Sequence, residues 1–218
     1  MKNLFYIFVG VALTTLSYLI CLMLGIDIQF NWLEFVAVST SYTCTILFTL
    51  QKRIAYFYGV ISTFFLCVLF ASQGVFALAI FNGILVVSLI YGYFRWGPDG
   101  NPLPVTRIDN FKSLAGYALF FLVVAAGFYL IVGGGSRIDL LLAAGSATAQ
   151  LALDQKKIEN WLMWIVINVF SIVFFMEQGM FLLAIQFIMF LVNAIVAFIR
   201  WNKEIKGLNK CKASPLTV

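Results

Sequence analysis

Apolar residues in this chain run in eight long blocks separated by short polar punctuation. The blocks show neither the strict alternation of a half-buried strand nor the narrow apolar stripe of a surface helix. They cover residues 4–25, 33–50, 54–71, 75–95, 114–132, 138–153, 159–176 and 180–199. A helix that crosses a bilayer needs roughly 20 apolar residues, so each block predicts one membrane span. The breaks carry turn and charge signals at Gln51-Lys-Arg53, Ser72-Gln-Gly74 and Gly133-Gly-Gly135. The longest break is Gly97-Pro-Asp-Gly-Asn-Pro-Leu-Pro104, which continues to Lys112. The first block follows a lone Lys2, as in a signal peptide, but no small-residue cleavage pattern follows Leu24-Gly25. A retained first span is expected.

Charge gives the eight blocks a direction. With the N-terminus on the cytoplasmic side, 13 of the 14 basic residues fall in inside segments and only Arg137 is left outside. That is the positive-inside bias nearly saturated, and it predicts both termini in the cytoplasm. Composition agrees: 63% of the 218 residues are hydrophobic and 11% charged, with a mean hydropathy of +1.01. A soluble domain cannot cover itself with so few polar groups. Continuous apolar runs containing 23 phenylalanines favour helices over the alternating segments of a barrel. The net charge of +5 is accounted for by basic loops at the membrane face, and nothing points to nucleic acid. The chain has no histidine, which removes imidazole chemistry and histidine-ligated metals. Cys21, Cys44, Cys67 and Cys211 have no metal or disulfide spacing. No catalytic constellation, metal site or cofactor site emerges, so the expectation is a non-enzyme.

The chain also repeats itself. Gln51-Lys-Arg-Ile54 matches Gln155-Lys-Lys-Ile158 at an offset of 104, and a one-residue insertion near Glu159-Asn160 then raises the offset to 105. At 105, Gln73-Gly74 pairs with Gln178-Gly179, Ala79-Ile80 with Ala184-Ile185, Arg95-Trp96 with Arg200-Trp201, and Glu34 with Asp139. Each unit is three helices. Three spans invert the second copy unless a single span intervenes, and residues 114–132 supply it. The expected fold is an all-α integral membrane protein with parallel three-helix repeats in a 3+1+3 arrangement, plus one extra N-terminal transmembrane helix. Its parts are the extra helix at 4–25, a first repeat at 32–96, a loop and linker helix at 97–132, a second repeat at 136–201, and a basic cytoplasmic tail at 202–218. Parallel repeats about an axis along the membrane normal are a transporter arrangement, with substrate held near mid-membrane between the units.

The most distinctive stretch is Glu159-Asn-Trp-Leu-Met-Trp-Ile-Val-Ile-Asn168. With Trp161 at 0°, Trp164 falls at about 300° and Asn168 at about 340° around a helix, and Ser171 and Phe175 continue the face. One reading is an interfacial tryptophan belt, which also suits Trp32, Trp96 and Trp201. The other is the wall of a binding site. The repeat favours the site, since the matching positions in the first unit are Tyr56, Gly59 and Thr63, a smaller face that makes room for a flat ligand. Further mid-span polar candidates are Asn82, Gln150, Gln186 and Asn193, each of which could instead make an interhelical hydrogen bond. Tryptophan faces attract flat aromatic cations. Two such contacts plus a few amide hydrogen bonds correspond to about −8 kcal/mol, the micromolar range. The chain has no phosphate-binding loop, and its acids Glu34, Asp139, Asp154, Glu159 and Glu177 sit at span ends. Facilitated diffusion is the mechanism that remains, with accumulation left to trapping chemistry elsewhere.

On these residues the chain resembles the PnuC family of bacterial vitamin transporters. The resemblance covers about Trp32 to Trp201 and is most specific at Lys156-Lys-Ile-Glu-Asn-Trp-Leu-Met-Trp-Ile-Val-Ile-Asn168 followed by Gln178-Gly179, with Gln150, Ile90-Tyr-Gly92 and Trp96 also similar. It implies a homotrimer in the bacterial cytoplasmic (inner) membrane and diffusion of an unphosphorylated vitamin that a cytosolic kinase then traps. The W-x-x-W-x-x-x-N pattern implies the nicotinamide riboside branch, with Trp161, Trp164 and Asn168 in the ligand-binding role. Gln186 stands where some relatives carry Glu, and Asn193 where apolar residues are common. Thiamine, also a flat cation, is the nearest rival substrate, then riboflavin. A sugar carrier of the three-helix-repeat type would carry a Pro-Gln turn, which is absent here.

Overall fold

The computed structural model describes residues 2–27, 29–97, 103–132 and 137–213. Eight helices lie among them: α1 (Lys2–Met23), α2 (Trp32–Thr49), α3 (Ala55–Ser72), α4 (Phe76–Arg95), α5 (Phe111–Val132), α6 (Arg137–Asp154), α7 (Glu159–Glu177) and α8 (Phe181–Ala213). No strand occurs among the described residues, only an isolated bridge between Thr106 and Lys157. Each apolar block of the sequence has become one helix. Residues 98–102 of the long break, the Gly133-Gly-Gly135 break and residues 214–218 lie outside the described residues. Within the expected tail at 202–218, residues as far as Ala213 continue α8 without interruption. Its Lys, Glu, Ile and Leu residues are helix formers, and no proline occurs before Pro215.

Six of the helices are long and apolar enough to cross a membrane: α1, α3, α4, α5, α7 and α8. The chain is a multi-pass membrane protein. The two helices that fall short, α2 and α6, are the ones most covered by others. Ten of the 18 residues of α2 and twelve of the 18 of α6 are buried. Helix α2 is packed among α1, α3 and α8, and α6 among α4, α5 and α7. Neighbouring helices take up the surface that lipid would otherwise touch, so these two can carry Ser, Thr, Gln and Asp side chains.

Backbone geometry recurs along the chain at a spacing of 105. Helices α2 and α6 have equal lengths and begin 105 residues apart. Left-handed φ angles occur at Gln51 (56°) and Lys156 (50°), and at Gly74 (76°) and Gly179 (71°). The closing bonds match as well: Lys52 N donates to Leu47 O and Lys157 N to Ala152 O, both at 2.9 Å. The sequence match at 104 with a following insertion is therefore corrected. The turn recurs at 105 throughout, and the shared Gln-Lys letters sit one residue out of structural register, because the turn is fixed by backbone conformation rather than by those side chains. A non-glycine residue in this conformation costs about 1 kcal/mol, and here the two strained residues hold each other. Lys156 Nζ donates to Gln51 Oε1 at 3.0 Å and sits 4.6 Å from the Trp96 ring centroid. Burial pushes the Lys156 ammonium below its usual range, opposed by the nearby Glu204 carboxylate.

The two ends of the bundle differ in chemistry. One carries the Gln51 and Lys156 turns with Arg53, Arg95, Arg107, Lys157 and Arg200, and we refer to it as the basic end. The other carries the Gly74 and Gly179 turns. Helix α1 is docked by small and hydroxyl residues one or two turns apart. A Cβ on Gly10 would lie 2.2 Å from Thr43 Oγ1, Ser39 Oγ donates to Thr14 Oγ1 at 3.0 Å, and Ser17 and Tyr42 hydroxyls meet at 2.9 Å.

Candidate functional site

A cavity of about 170 Å³ lies between α2, α3, α4, α6, α7 and α8. Most of its lining residues pair at the 105 spacing: Ser41 with Ser146, Thr45 with Gln150, Thr63 with Asn168, and Phe70 with Phe175. The cavity is therefore lined on both sides by residues that recur at the spacing of the backbone turns. Of the residues singled out in the sequence, Trp161, Trp164, Asn168, Gln186, Asn82, Gln150 and Thr63 all line it.

Two atoms of the tryptophan-asparagine face are without partners. Trp161 Nε1 and Asn168 Oδ1 are buried and make no hydrogen bond. A buried polar atom left unsatisfied costs about 1–3 kcal/mol, so these two favour a partner that enters the cavity. One is a donor and the other an acceptor, and both belong to side chains in the cavity wall. Such a pair matches a ligand that offers both an acceptor and a donor, such as a carboxamide or a hydroxyl group. Trp164 adds a half-buried indole face beside them. Asn82 is partly committed, since its Nδ2 donates to Leu78 O at 2.7 Å.

Asn193 does not join this group. Its Nδ2 donates to Thr49 Oγ1 at 2.8 Å, tying α8 to the end of α2, and it is not among the lining residues. The interhelical role weighed for it in the sequence is the one the geometry gives it. The first-unit face also divides. Gly59 and Thr63 line the cavity, while Tyr56 is not among its lining residues and makes T-shaped contacts with Phe48 and Trp96. Gly59 serves packing as well as room, since a Cβ there would lie 3.1 Å from Leu89 and 3.2 Å from the Cys44 sulfur.

Aromatic pairs stand at both ends of the cavity. Towards the glycine turns, Phe70 and Phe175 stack at 5.7 Å and 14°, and Phe187 stacks on Phe175 at 5.1 Å. At the basic end, Trp161 meets Trp201 edge to face at 5.4 Å, and Trp201 lies 6.3 Å from Trp96. The belt expectation for Trp96 and Trp201 is corrected here. Both are buried, with indole N–H groups donating to Leu153 O at 3.2 Å and Thr49 O at 3.3 Å. Only Trp32 is exposed as a belt residue would be. Sequence position near a helix end does not distinguish an indole at the lipid interface from one turned into the bundle.

The basic end is also covered by the α4–α5 connection. Thr106 N donates to Lys156 O and Ile158 N to Thr106 O, Ile108 N donates to Glu159 Oε2, and Val105 is buried among the tryptophans. The lining hydroxyls of Ser41, Thr45, Ser62 and Ser146 were not singled out in the sequence. For Ser41 and Ser146 the signal lay in the 105 spacing, which pairs them on the two helices not apolar enough to count as spans by themselves. No group of residues suited to hold a metal ion occurs among the described residues.

Comparison with known proteins gives the following. The family model described as nicotinamide mononucleotide transporter matches residues 31–203. The nicotinamide riboside transporter PnuC of Escherichia coli (strain K12) is 23% identical over 214 residues, covering 84% of this chain and 87% of that protein. The protein of the same name from Haemophilus influenzae is 25% identical over 194 residues, covering 82% and 83%. A crystal structure of the vitamin B3 transporter PnuC superposes with a TM-score of 0.75 at 16% identity, covering 94% of this chain and 92% of that one.

Proposed function

The chain belongs to the nicotinamide mononucleotide transporter family, and on that premise we propose that it carries nicotinamide riboside across the membrane. The observation that carries this reading is the pair of unpartnered atoms, Trp161 N–H and Asn168 C=O, in the wall of a cavity that also holds Trp164. Nicotinamide riboside presents a pyridinium for the indole faces, a carboxamide with both donor and acceptor, and ribose hydroxyls. We assign the binding role to Trp161, Trp164, Asn168, Gln186, Asn82, Gln150 and Thr63, and a helix-clamping role to Asn193. Thiamine, a flat cation without a carboxamide, is the nearest alternative. The named substrates of similar proteins favour the riboside.

The fold assigned with this function has eight spans. Helices α2 and α6 cross as well, since their polar residues turn inward and their neighbours shield them. Helices α2–α4 and α6–α8 form parallel repeats joined through α5, and α1 is the additional helix. The basic end faces the cytoplasm of a bacterial inner membrane, three copies assemble into a trimer, and a cytosolic kinase traps the riboside after it diffuses in. Calorimetric titration of the purified protein tests the site. Micromolar, saturable binding of nicotinamide riboside is expected, and Trp164→Ala should raise Kd at least about tenfold through loss of a cation–π contact and its apolar area. An unchanged Kd in Trp164→Ala would overturn the assignment of the site.

A further inference from the structure

Behind Gln150, one side chain away from the cavity, sits a wholly buried carboxylate. Asp154 is the last residue of α6 and 0% exposed. Its Oδ1 accepts from Tyr56 Oη at 3.0 Å and from Gln150 Nε2 at 2.8 Å, and its Oδ2 accepts from Ser88 Oγ at 2.6 Å. Three donors converge on one carboxyl group, the arrangement suited to its ionised form. The chain keeps space for it: a Cβ on Gly92 would fall 2.4 Å from Asp154 Oδ1 and 2.3 Å from the Tyr56 ring.

The role of a helix clamp does not account for the charge. At the 105 spacing Asp154 corresponds to Thr49 and Ser88 to Asn193, and there Asn193 Nδ2 donates to Thr49 Oγ1 at 2.8 Å. A neutral pair thus ties α2 to α8 in the place where a carboxylate ties α6 to α4. The charged copy has two partners that the neutral one lacks, Tyr56 and Gln150, and of these Gln150 lines the cavity. An amide beside a carboxylate turns its NH₂ towards it, which leaves its carbonyl oxygen as the group free for the cavity.

We propose that Asp154 is a positioning and specificity residue: it holds Gln150 with its carbonyl acceptor available to the ligand, and it places a negative charge behind the site that selects a cationic ring over a neutral one. This rests on the reading of the cavity as a nicotinamide riboside site. A unit charge within about 10 Å of a bound cation changes affinity by about tenfold at the effective dielectric of a protein interior. Nothing in this role requires Asp154 to touch the ligand.

The test compares nicotinamide riboside with its reduced dihydropyridine form, which has nearly the same shape and no ring charge. Both are titrated by calorimetry into the purified full-length protein and its Asp154→Asn variant. Asparagine keeps an oxygen for Tyr56 and Gln150 and turns its nitrogen to Ser88, whose hydroxyl can accept, so it removes the charge with little else. The wild type is expected to prefer the cation by at least about tenfold, and Asp154→Asn to lose most of that preference by weakening the cation alone. Equal weakening of both forms, or no change in either, overturns the inference and leaves the binding site standing. If the wild type binds neither form, the nicotinamide riboside reading itself fails, and the inference with it. If Asp154→Asn does not fold, Asp154→Thr, which copies Thr49 at the 105 spacing, is titrated in its place with the same expected and overturning results, since the indole faces also favour the cation in the wild type.

Discussion

At the scale of single residues, the pattern W-x-x-W-x-x-x-N was readable as a face but not as a set of contacts. Helical spacing put Trp161, Trp164 and Asn168 on one side of α7, and all three do line the cavity. Spacing could not show that Trp161 N–H and Asn168 C=O would be left without partners, because that depends on what α2, α3, α6 and α8 fail to offer. It also could not separate Gln186, which lines the cavity, from Asn193, which binds Thr49, although the two lie on one helical face two turns apart. The unpartnered N–H makes a specific prediction. Trp161→Phe removes a buried donor and part of a ring packed on Trp201, so the ligand-free protein should melt only slightly lower than the wild type. Its Kd for nicotinamide riboside should rise about five- to tenfold, the worth of roughly one hydrogen bond. The measurement is a thermal melt alongside a titration, and a much lower melting point with unchanged Kd would mean that the N–H serves the fold and not the ligand.

At the scale of elements, hydrophobic blocks were sufficient to place every helix, since a span's length is dictated by the bilayer and its ends by Gly, Pro and charge. The α2 and α6 helices show what such blocks leave out. Their lower hydropathy looks like weakness in the sequence, yet it marks the two helices most enclosed by others. The true register of the repeat was hidden for a related reason: Gln51 and Lys156 share a left-handed backbone and a hydrogen bond but not a letter. Helix α1 is the extra span of the expected fold, and it packs closely on α2. A Cβ at Gly10 would also meet Ser39 O at 2.4 Å. Gly10→Val should therefore push α1 off α2 and break the Ser39–Thr14 and Ser17–Tyr42 hydroxyl contacts, leaving Ser39 and Tyr42 short of a partner. A loss of about 2–4 kcal/mol is expected from overpacking together with unsatisfied polar groups, visible as a lower melting temperature in detergent. A melting point equal to the wild type would show that α1 can move away without loss.

At the scale of the whole molecule, the cavity is lined by residues that recur at a spacing of 105 and differ in size and chemistry between the two copies. Trp164 faces the cavity where its counterpart is Gly59, Asn168 where it is Thr63, and Gln150 where it is Thr45. Aromatic pairs stand towards either end of the cavity, and the basic end carries in addition the interhelical bonds of Asp154, Asn193, Trp96 and Trp201. A carrier of this form needs only to expose the cavity to one side and then the other, a change that the ligand can follow in either direction. The acids of the helices are not arranged as a proton relay through the cavity, and Asp154 is engaged by three neutral donors. The most direct measurement is uptake of labelled nicotinamide riboside into liposomes containing the purified protein. The account predicts saturable entry that stops at equal concentrations inside and out, is unaffected by imposed proton or sodium gradients, and is lost in Trp164→Ala. Entry no faster than into protein-free liposomes, or accumulation above the external concentration, would contradict it.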